Sequence, residues 1–483
     1  MNICTSSTVK FKVCLLLVLI CPLTLRAFSA EQSLVEIEIT KKTYNYRQPW
    51  LINNQTGTKN GIIIDSQKIL TTADGLTSDA TCRIRKGGES SQINAKIHSI
   101  DYEANIALLE VDDVKFWKSV KAVRLAKKLP QAGELQIFRW RSGRIEERAA
   151  EIIRLDVGNA KLSNLNHLVL LASSEINSAG WAEIVMKGNY LVGLTTAGSK
   201  SKMLSILPST VIQQALKRGA CNQGPGHGFF DFFWTETSNP ALPASKGLNL
   251  EKEQGVLITQ TGIIYDAAGE LKEGDIVLTI DGFDIDSEGK YIDPLYGRLS
   301  LEGLCSRNHH AGEQIPMRIW RDLQVMEINY TLPRSDYTRG LIPNFQHNQT
   351  PKYIIAGGCV FQPLNNSLIR SLGDSASGMM NYYAKGRTIP GRTSLVALTT
   401  VLPDDYNLNF ENLGPFILDS INGVKIETLE DVSNALAQPP NGYHKIKFMS
   451  DEYLQHIVLD AETLATATER ILENYRIPAA ASL

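Results

Sequence analysis

Apolar positions along the chain fall in short runs. Ile62-Ile63-Ile64 stops at Asp65-Ser66 and resumes at Ile69-Leu70. Ala95-Lys96-Ile97-His98-Ser99-Ile100 alternates with the period of two that turns one strand face to a core and the other to water. Ile106-Ala107-Leu108-Leu109-Glu110-Val111, Leu168-Val169-Leu170-Leu171 and Tyr190-Leu191-Val192-Gly193-Leu194 are further runs of strand length. No long helical pattern separates them, which predicts an all-β barrel or sandwich from Leu34 to about Leu216. Pro208-Ser209-Thr210 then opens a helical stretch to Lys217, with Ser209 or Thr210 as its N-cap.

Residues 219–228, Gly-Ala-Cys-Asn-Gln-Gly-Pro-Gly-His-Gly, read as a linker. The next unit runs to about Pro333. At its centre Leu271-Lys272-Glu273-Gly274-Asp275 turns into the apolar run 276–280, and Asp281-Gly282 is a hairpin turn. The same order returns at Leu413-Gly414-Pro415-Phe416-Ile417-Leu418-Asp419-Ser420-Ile421-Asn422-Gly423-Val424, followed by helical spacing over residues 429–436. One module is repeated in diverged form.

At 483 residues the chain is long enough for about three domains. Hydrophobic residues at 43% and charged residues at 21% exclude a mostly disordered chain. A net charge of −2 offers no excess of cations for phosphate neutralisation, so nucleic acid is not an expected partner. Lys10 and Lys12, an apolar run from Val13 to Leu25 and then Ala27-Phe28-Ser29-Ala30 form a signal peptide, residues 1–30, cleaved near Ser29 or Ala30. The expected location is exported, periplasmic or extracellular. Cleavage removes Cys4, Cys14 and Cys21 and leaves Cys82, Cys221, Cys305 and Cys359, as buried thiols or bridges, with no CxxC pair. His309-His310 are adjacent and diverge in direction, so no metal is expected there. No cofactor and no small-molecule substrate are indicated. Arg139, Arg141 and Arg144 around Trp140 are expected on a solvated face, and Trp181 is expected to pack.

The phrase from Gly274-Asp275 to Gly282 resembles the PDZ domain, in the version found in HtrA/Deg proteins. Asn422-Gly423 marks a looser second copy. Between them Arg339-Gly340-Leu341-Ile342-Pro343 and Tyr353-Ile354-Ile355-Ala356-Gly357-Gly358-Cys359-Val360-Phe361 resemble the tandem-PDZ half of plant-type Deg proteases. The resemblance implies a mainly β chain: a trypsin-like double β-barrel (31–219), a first PDZ domain (226–335) and a second PDZ-like domain with a C-terminal helical extension (336–483).

A protease of this kind needs a Ser nucleophile, a His base, an Asp that orients the His, and backbone N–H donors for the oxyanion. In the family the His follows a phrase similar to Ile69-Leu70-Thr71-Thr72-Ala73, and Asp74 stands in its place here. The family Asp precedes a phrase similar to Ile106-Ala107-Leu108-Leu109, and Asn105 stands in its place. For the nucleophile, Asn177-Ser178 is one match; counting back from Gly193 puts Gly180 there instead, and both alignments stay open. The glycines that flank the family Asn-Ser become Ile176 and Ala179. Losing the base removes about 10^6 in turnover in a comparable enzyme, and an unperturbed Asp titrates near about 4 against about 6.5 for His.

The PDZ pair is left to carry function. A PDZ domain adds an extended peptide as a strand and holds its terminal carboxylate on loop N–H groups. In the first copy the loop falls at Phe229, Phe230, Asp231 and Phe232, continuing to Phe233 and Trp234, with Asp231 where the family usually has glycine. The expected role is a pseudoprotease that binds peptides or unfolded-protein segments as scaffold, adaptor or holdase-like quality-control factor. The alternatives are a serine endopeptidase using Ser178 with a non-standard base, or a structural subunit of a mixed Deg oligomer. The resemblance implies a trimer, or a hetero-oligomer with an active Deg protease.

Overall fold

The computed structural model describes residues 28–65, 67–86, 89–159, 161–163, 165–177, 179–200, 202–217, 224–248, 254–262, 270–336, 338–344, 347, 349–449 and 454–483. Ser178, Cys221 and residues 1–27 of the expected signal peptide lie outside them. Of its last residues, Phe28 stacks edge-on against Phe138 with ring centroids 5.1 Å apart, so cleavage after Ser29 or Ala30 would remove a packed ring.

Strands Leu34–Tyr44, Ile52–Ile64, Lys68–Thr71, Ile106–Glu110, Ile93–Asp101 and Thr81–Lys86 follow one another in space, and the last pairs with the first to close a barrel. Alternation does this: Val35, Ile37 and Ile39 point inward onto Ile63, Ile69, Cys82 and Leu109. At Gly61 a Cβ would lie 2.7 Å from both Ile37 and Ile69, so the barrel centre has room only for glycine there. The outer half of Ile52–Ile64 is polar and exposed, and burial begins at Lys59. A second barrel is built from Glu134–Arg141, Arg144–Asn159, Asn166–Ser174, Met203–Pro208, Tyr190–Gly198 and Ile184–Lys187; the last pairs with both Glu134–Arg141 and Tyr190–Gly198. The helix after it is Ser209–Lys217, so Ser209 and Thr210 are helical residues rather than caps, and Ser209 Oγ donates to Ala126 O at 2.8 Å.

The first α+β unit has a sheet in the order Phe232–Thr235, Val256–Thr261, Ile276–Ile280, Gln314–Arg321, Gln324–Thr331. Asp281 (φ 51°) and Gly282 (φ 76°) form the hairpin turn, in the left-handed conformation that Asx-Gly pairs accept. The second unit repeats it at Asn422 (φ 55°) and Gly423 (φ 83°), and its helix Leu429–Leu436 has a capping box between Thr428 and Asp431. The units differ at one edge. Phe232–Thr235 ends its sheet, whereas the second unit's Cys359–Pro363 is covered by Tyr353–Ala356, which pairs in turn with Ala481–Ser482.

Cys82, Cys305 and Cys359 are buried free thiols, which removes bridging among these three. Among the described residues no helix is long and apolar enough to cross a membrane.

Polar ties bind both α+β units to the first barrel. His227 Nε2 meets Asp101 Oδ2 at 2.8 Å, and Ser335 Oγ donates to Glu103 Oε2 at 2.7 Å. Arg47 donates from Nε to Ser371 O and from Nη2 to Leu372 O, each at 2.7 Å.

The Gly274-Asp275 phrase has a structural reason. Asp275 is 1% exposed; Arg321 donates to its two oxygens at 2.7 and 2.6 Å, and Lys272 N donates to Oδ2 at 2.7 Å. Removing one member of such a pair strands the other charge. Asp275→Ala is expected to destabilise the first unit by about 3 kcal/mol, read as an earlier denaturant midpoint by tryptophan fluorescence. An unchanged midpoint would contradict this reading.

Candidate functional site: the cleft between the barrels and the aromatic groove

The loop after Lys68–Thr71 carries Asp74, and the loop before Ile106–Glu110 carries Asn105. The fold brings these two together. Asn105, buried and at φ 53°, accepts the Asp74 backbone N–H on Oδ1 at 2.9 Å, while its Nδ2 is buried without a partner. A side-chain oxygen thus fixes a main-chain N–H, where a triad would have a carboxylate orienting an imidazole. The Asp74 carboxylate is ion-paired with Lys161.

Beneath this loop lies a residue that sequence reading missed. Lys59 is 3% exposed; its Nζ donates to Thr72 O, to Thr72 Oγ1 at 2.8 Å and to Asp74 O at 2.7 Å. These bonds tie down the Asp74 loop from inside the barrel. Burial pushes the Lys59 amine down to about 7, against the opposing pull of Asp74. In the sequence Lys59 only continues the polar run 53–60, which gives no signal of its burial.

On the second barrel, Glu183 governs the nucleophile loop. It is 1% exposed, and its Oε2 accepts the backbone N–H groups of Gly180 at 2.8 Å and Trp181 at 3.0 Å and the hydroxyl of Thr195. Arg139 Nη1 stands 3.8 Å from Oε1 and donates to Asn177 O at 2.7 Å. Arg139 is 4% exposed and paired with Glu146, so it does not share the solvated face expected for it; only Arg141 and Arg144 face water. Trp181 is exposed rather than packed, although its carbonyl accepts Asn60 N at 3.0 Å, which joins the two barrels across the cleft. Gly180 has φ 113°, and a Cβ there would lie 3.0 Å from Ala197 Cα, so the position admits only glycine. The alternative nucleophile, Ser178, lies outside the described residues.

Residues 229–234 divide by side. Phe229 and Phe232 are buried in the unit's own core, while Phe230, Phe233 and Trp234 are half-buried against a cavity of about 290 Å3. Asp231 is 3% exposed, and its backbone N–H is already given to Tyr330 Oη at 3.0 Å. Across the cavity stand residues 339–342 and 383–387 of the second unit. His309 lies between Glu313 Oε2 at 2.9 Å and Asp281 Oδ2 at 3.0 Å, acidic neighbours that the sequence spacing did not reveal. No group of three or more His, Cys, Asp or Glu side chains that could hold a metal occurs among the described residues.

Comparison with known proteins fits this geometry. A PDZ domain family model matches residues 342–483. The chain is 24% identical over 461 residues to a putative protease Do-like 3, mitochondrial, of Arabidopsis thaliana, covering 94% of this chain and 80% of that protein. It is 24% identical to the chloroplastic protease Do-like 2 of the same plant, over 92% and 74% of the respective chains. The solved HtrA-type protease AlgW with decapeptide overlays on 63% of this chain and 96% of its own, at 16% identity and a TM-score of 0.46. The fold is a double β-barrel followed by two α+β units, the second of which the PDZ model matches, and the chain's sequence homologues are Deg/HtrA-like proteases. The relatives' names point to organelles rather than to the periplasm.

The Lys59 geometry has a pH signature. Its folded-state pKa, about 7, lies below the unfolded value of about 10.4. Between these values the unfolded chain binds the extra proton, so this group's contribution to stability rises with pH across that window. The difference in unfolding free energy between wild type and Lys59→Met is expected to grow in favour of wild type from pH 7 to 10, by up to about 1.4 kcal/mol per unit. A difference that is flat with pH would refute it.

Proposed function

We propose that this chain is a pseudoprotease whose barrels serve as a platform for PDZ-mediated binding of peptides or unfolded segments. One observation carries the reading: the Glu183 carboxylate occupies the N–H groups of Gly180 and Trp181. An oxyanion hole uses the N–H of the nucleophile position itself. If Gly180 holds that position, its N–H already binds a full negative charge, and an incoming oxyanion would be repelled rather than stabilised. Asp74, paired with Lys161, adds a carboxylate where a neutral imidazole base would be needed.

The same reading takes the N-terminal segment as a targeting leader and, from the relatives' names, favours an organelle as the destination. Self-assembly as a trimer, or assembly with an active Deg protease, remains within this proposal as the setting in which a platform would act.

Two linked experiments test it. The purified chain is expected to bind fluorescein-labelled, reduced and alkylated casein by anisotropy without shortening it on a gel. Casein cleavage, or no binding, would overturn the reading. The double variant Asp74→His with Asn105→Asp is expected to stay at the background rate, because with Gly180 at the nucleophile position no hydroxyl is supplied there and Glu183 still occupies its N–H. Protease activity at even about 1 part in 3 × 10^4 of an ordinary HtrA-type rate, the level left when only the triad Asp is lost in a comparable enzyme, would show that Glu183 is no obstacle.

A further inference from the structure

The cavity beside residues 229–234 is a junction of three parts of the chain. The first unit gives Phe230 from the loop before its edge strand, Phe233 and Trp234 from that strand, and Glu302 from the helical turn 301–303. The second barrel gives Asn159 and Asn166 at the end of a hairpin. The second unit gives residues 339–342 and the turn 383–387 after its helix Gly378–Tyr383. At about 290 Å3 the space lies at the small end of ligand pockets, which span about 300–1,000 Å3, and suits a chain end better than a folded surface.

Charge divides between the walls. The acidic lining residues, Asp231 and Glu302, both belong to the first unit. The basic ones, Arg339, Lys385 and Arg387, all come from the segment beyond it, and all three are exposed at the rim. Arg387 lies over the Tyr382 ring at 5.7 Å, and Arg339 reaches Asp336 at 3.4 Å, so each has a local support that leaves it at the surface. A carboxylate placed beside Asp231 would meet a like charge and an N–H already given to Tyr330. The same carboxylate on the opposite wall would meet three cations.

The strand Phe232–Thr235 ends its sheet on the cavity side, so its outer edge can accept another strand. The equivalent edge in the second unit is taken by Tyr353–Ala356.

Resting on the peptide-binding reading above, we infer that the cavity is a composite site for the free C-terminus of another polypeptide: its last apolar side chain lies on Phe230, Phe233 and Trp234, and its α-carboxylate is met by Arg339, Lys385 and Arg387 of the second unit instead of by the first unit's loop. Ligand and tandem are thereby coupled, because one unit supplies the apolar floor and strand edge and the other the counter-charge.

The test uses the full chain and a fluorescein-labelled decapeptide of Gly and Ser ending in Phe-Val, as the free acid and as the C-terminal amide. The free acid is expected to bind about tenfold tighter than the amide at low salt. Lys385→Glu with Arg387→Glu, and separately Arg339→Ala, are expected to erase that preference while leaving amide binding unchanged. Retained amide binding also shows that the variants are folded. Equal affinity for acid and amide, or a preference for the acid that survives these variants, overturns the composite site and leaves the peptide-binding reading standing. Absence of binding by either peptide at millimolar concentration, while labelled casein still binds, also overturns it.

Discussion

A buried carboxylate must be hydrogen-bonded, and Glu183 meets that demand from the backbone of the loop at Gly180 and Trp181. Gly180 N, Trp181 N and the Thr195 hydroxyl converge on one of its oxygens, and Arg139 approaches the other. Burying an ion at this position without such partners would cost several kcal/mol, so the loop conformation and the charge hold each other in place. Asn60 continues the arrangement across the cleft: its N–H reaches Trp181 O, its Oδ1 accepts Trp140 N at 2.7 Å, and its carbonyl accepts Thr71 Oγ1 at 2.7 Å. The two barrels are thereby joined beside the Gly180 loop.

On the first barrel, polar groups that could serve chemistry serve assembly instead. The loop 101–105 ends at Asn105, which holds Asp74, and begins at Asp101, which holds His227 at the entry to the first PDZ unit. Within it Glu103 takes Ser335 at that unit's exit, and Tyr102 stacks on His347 with ring centroids 4.0 Å apart. Burial raises the Glu103 carboxyl, while His227 contributes to lowering that of Asp101 against the effect of burial. The loop that carries Asn105 thus also anchors the segments at residues 227 and 335 to the first barrel.

Much of the fold was legible because it depends on local rules. Asp281-Gly282 and Asn422-Gly423 adopt the turn that their chemistry favours, and period-two alternation located the barrel strands. Asp74 and Asn105 were readable as replacements, and the structure brings them into contact. Glu183 and Lys59 were not readable. A lone Glu after Ala182 has no meaning until Thr195 and Arg139 arrive from other strands, and Lys59 continues a polar run in sequence while its amine turns inward. The aromatic segment was read as loop or core and is both: Phe229 and Phe232 are buried in the core, Phe230 stacks on Phe232 at its margin, and the segment also lines the cavity. Arg139 misled because its partners are Glu146, opposite it on the neighbouring strand, and Glu183, just before the strand Ile184–Lys187.

The central claim is that no serine in this chain is activated for acyl transfer. Intact-mass spectrometry of the purified protein after exposure to a fluorophosphonate reads this directly, since only an activated hydroxyl displaces the fluoride at an appreciable rate. The account predicts an unchanged mass after hours of exposure; a stoichiometric adduct that maps to Ser178 would contradict it.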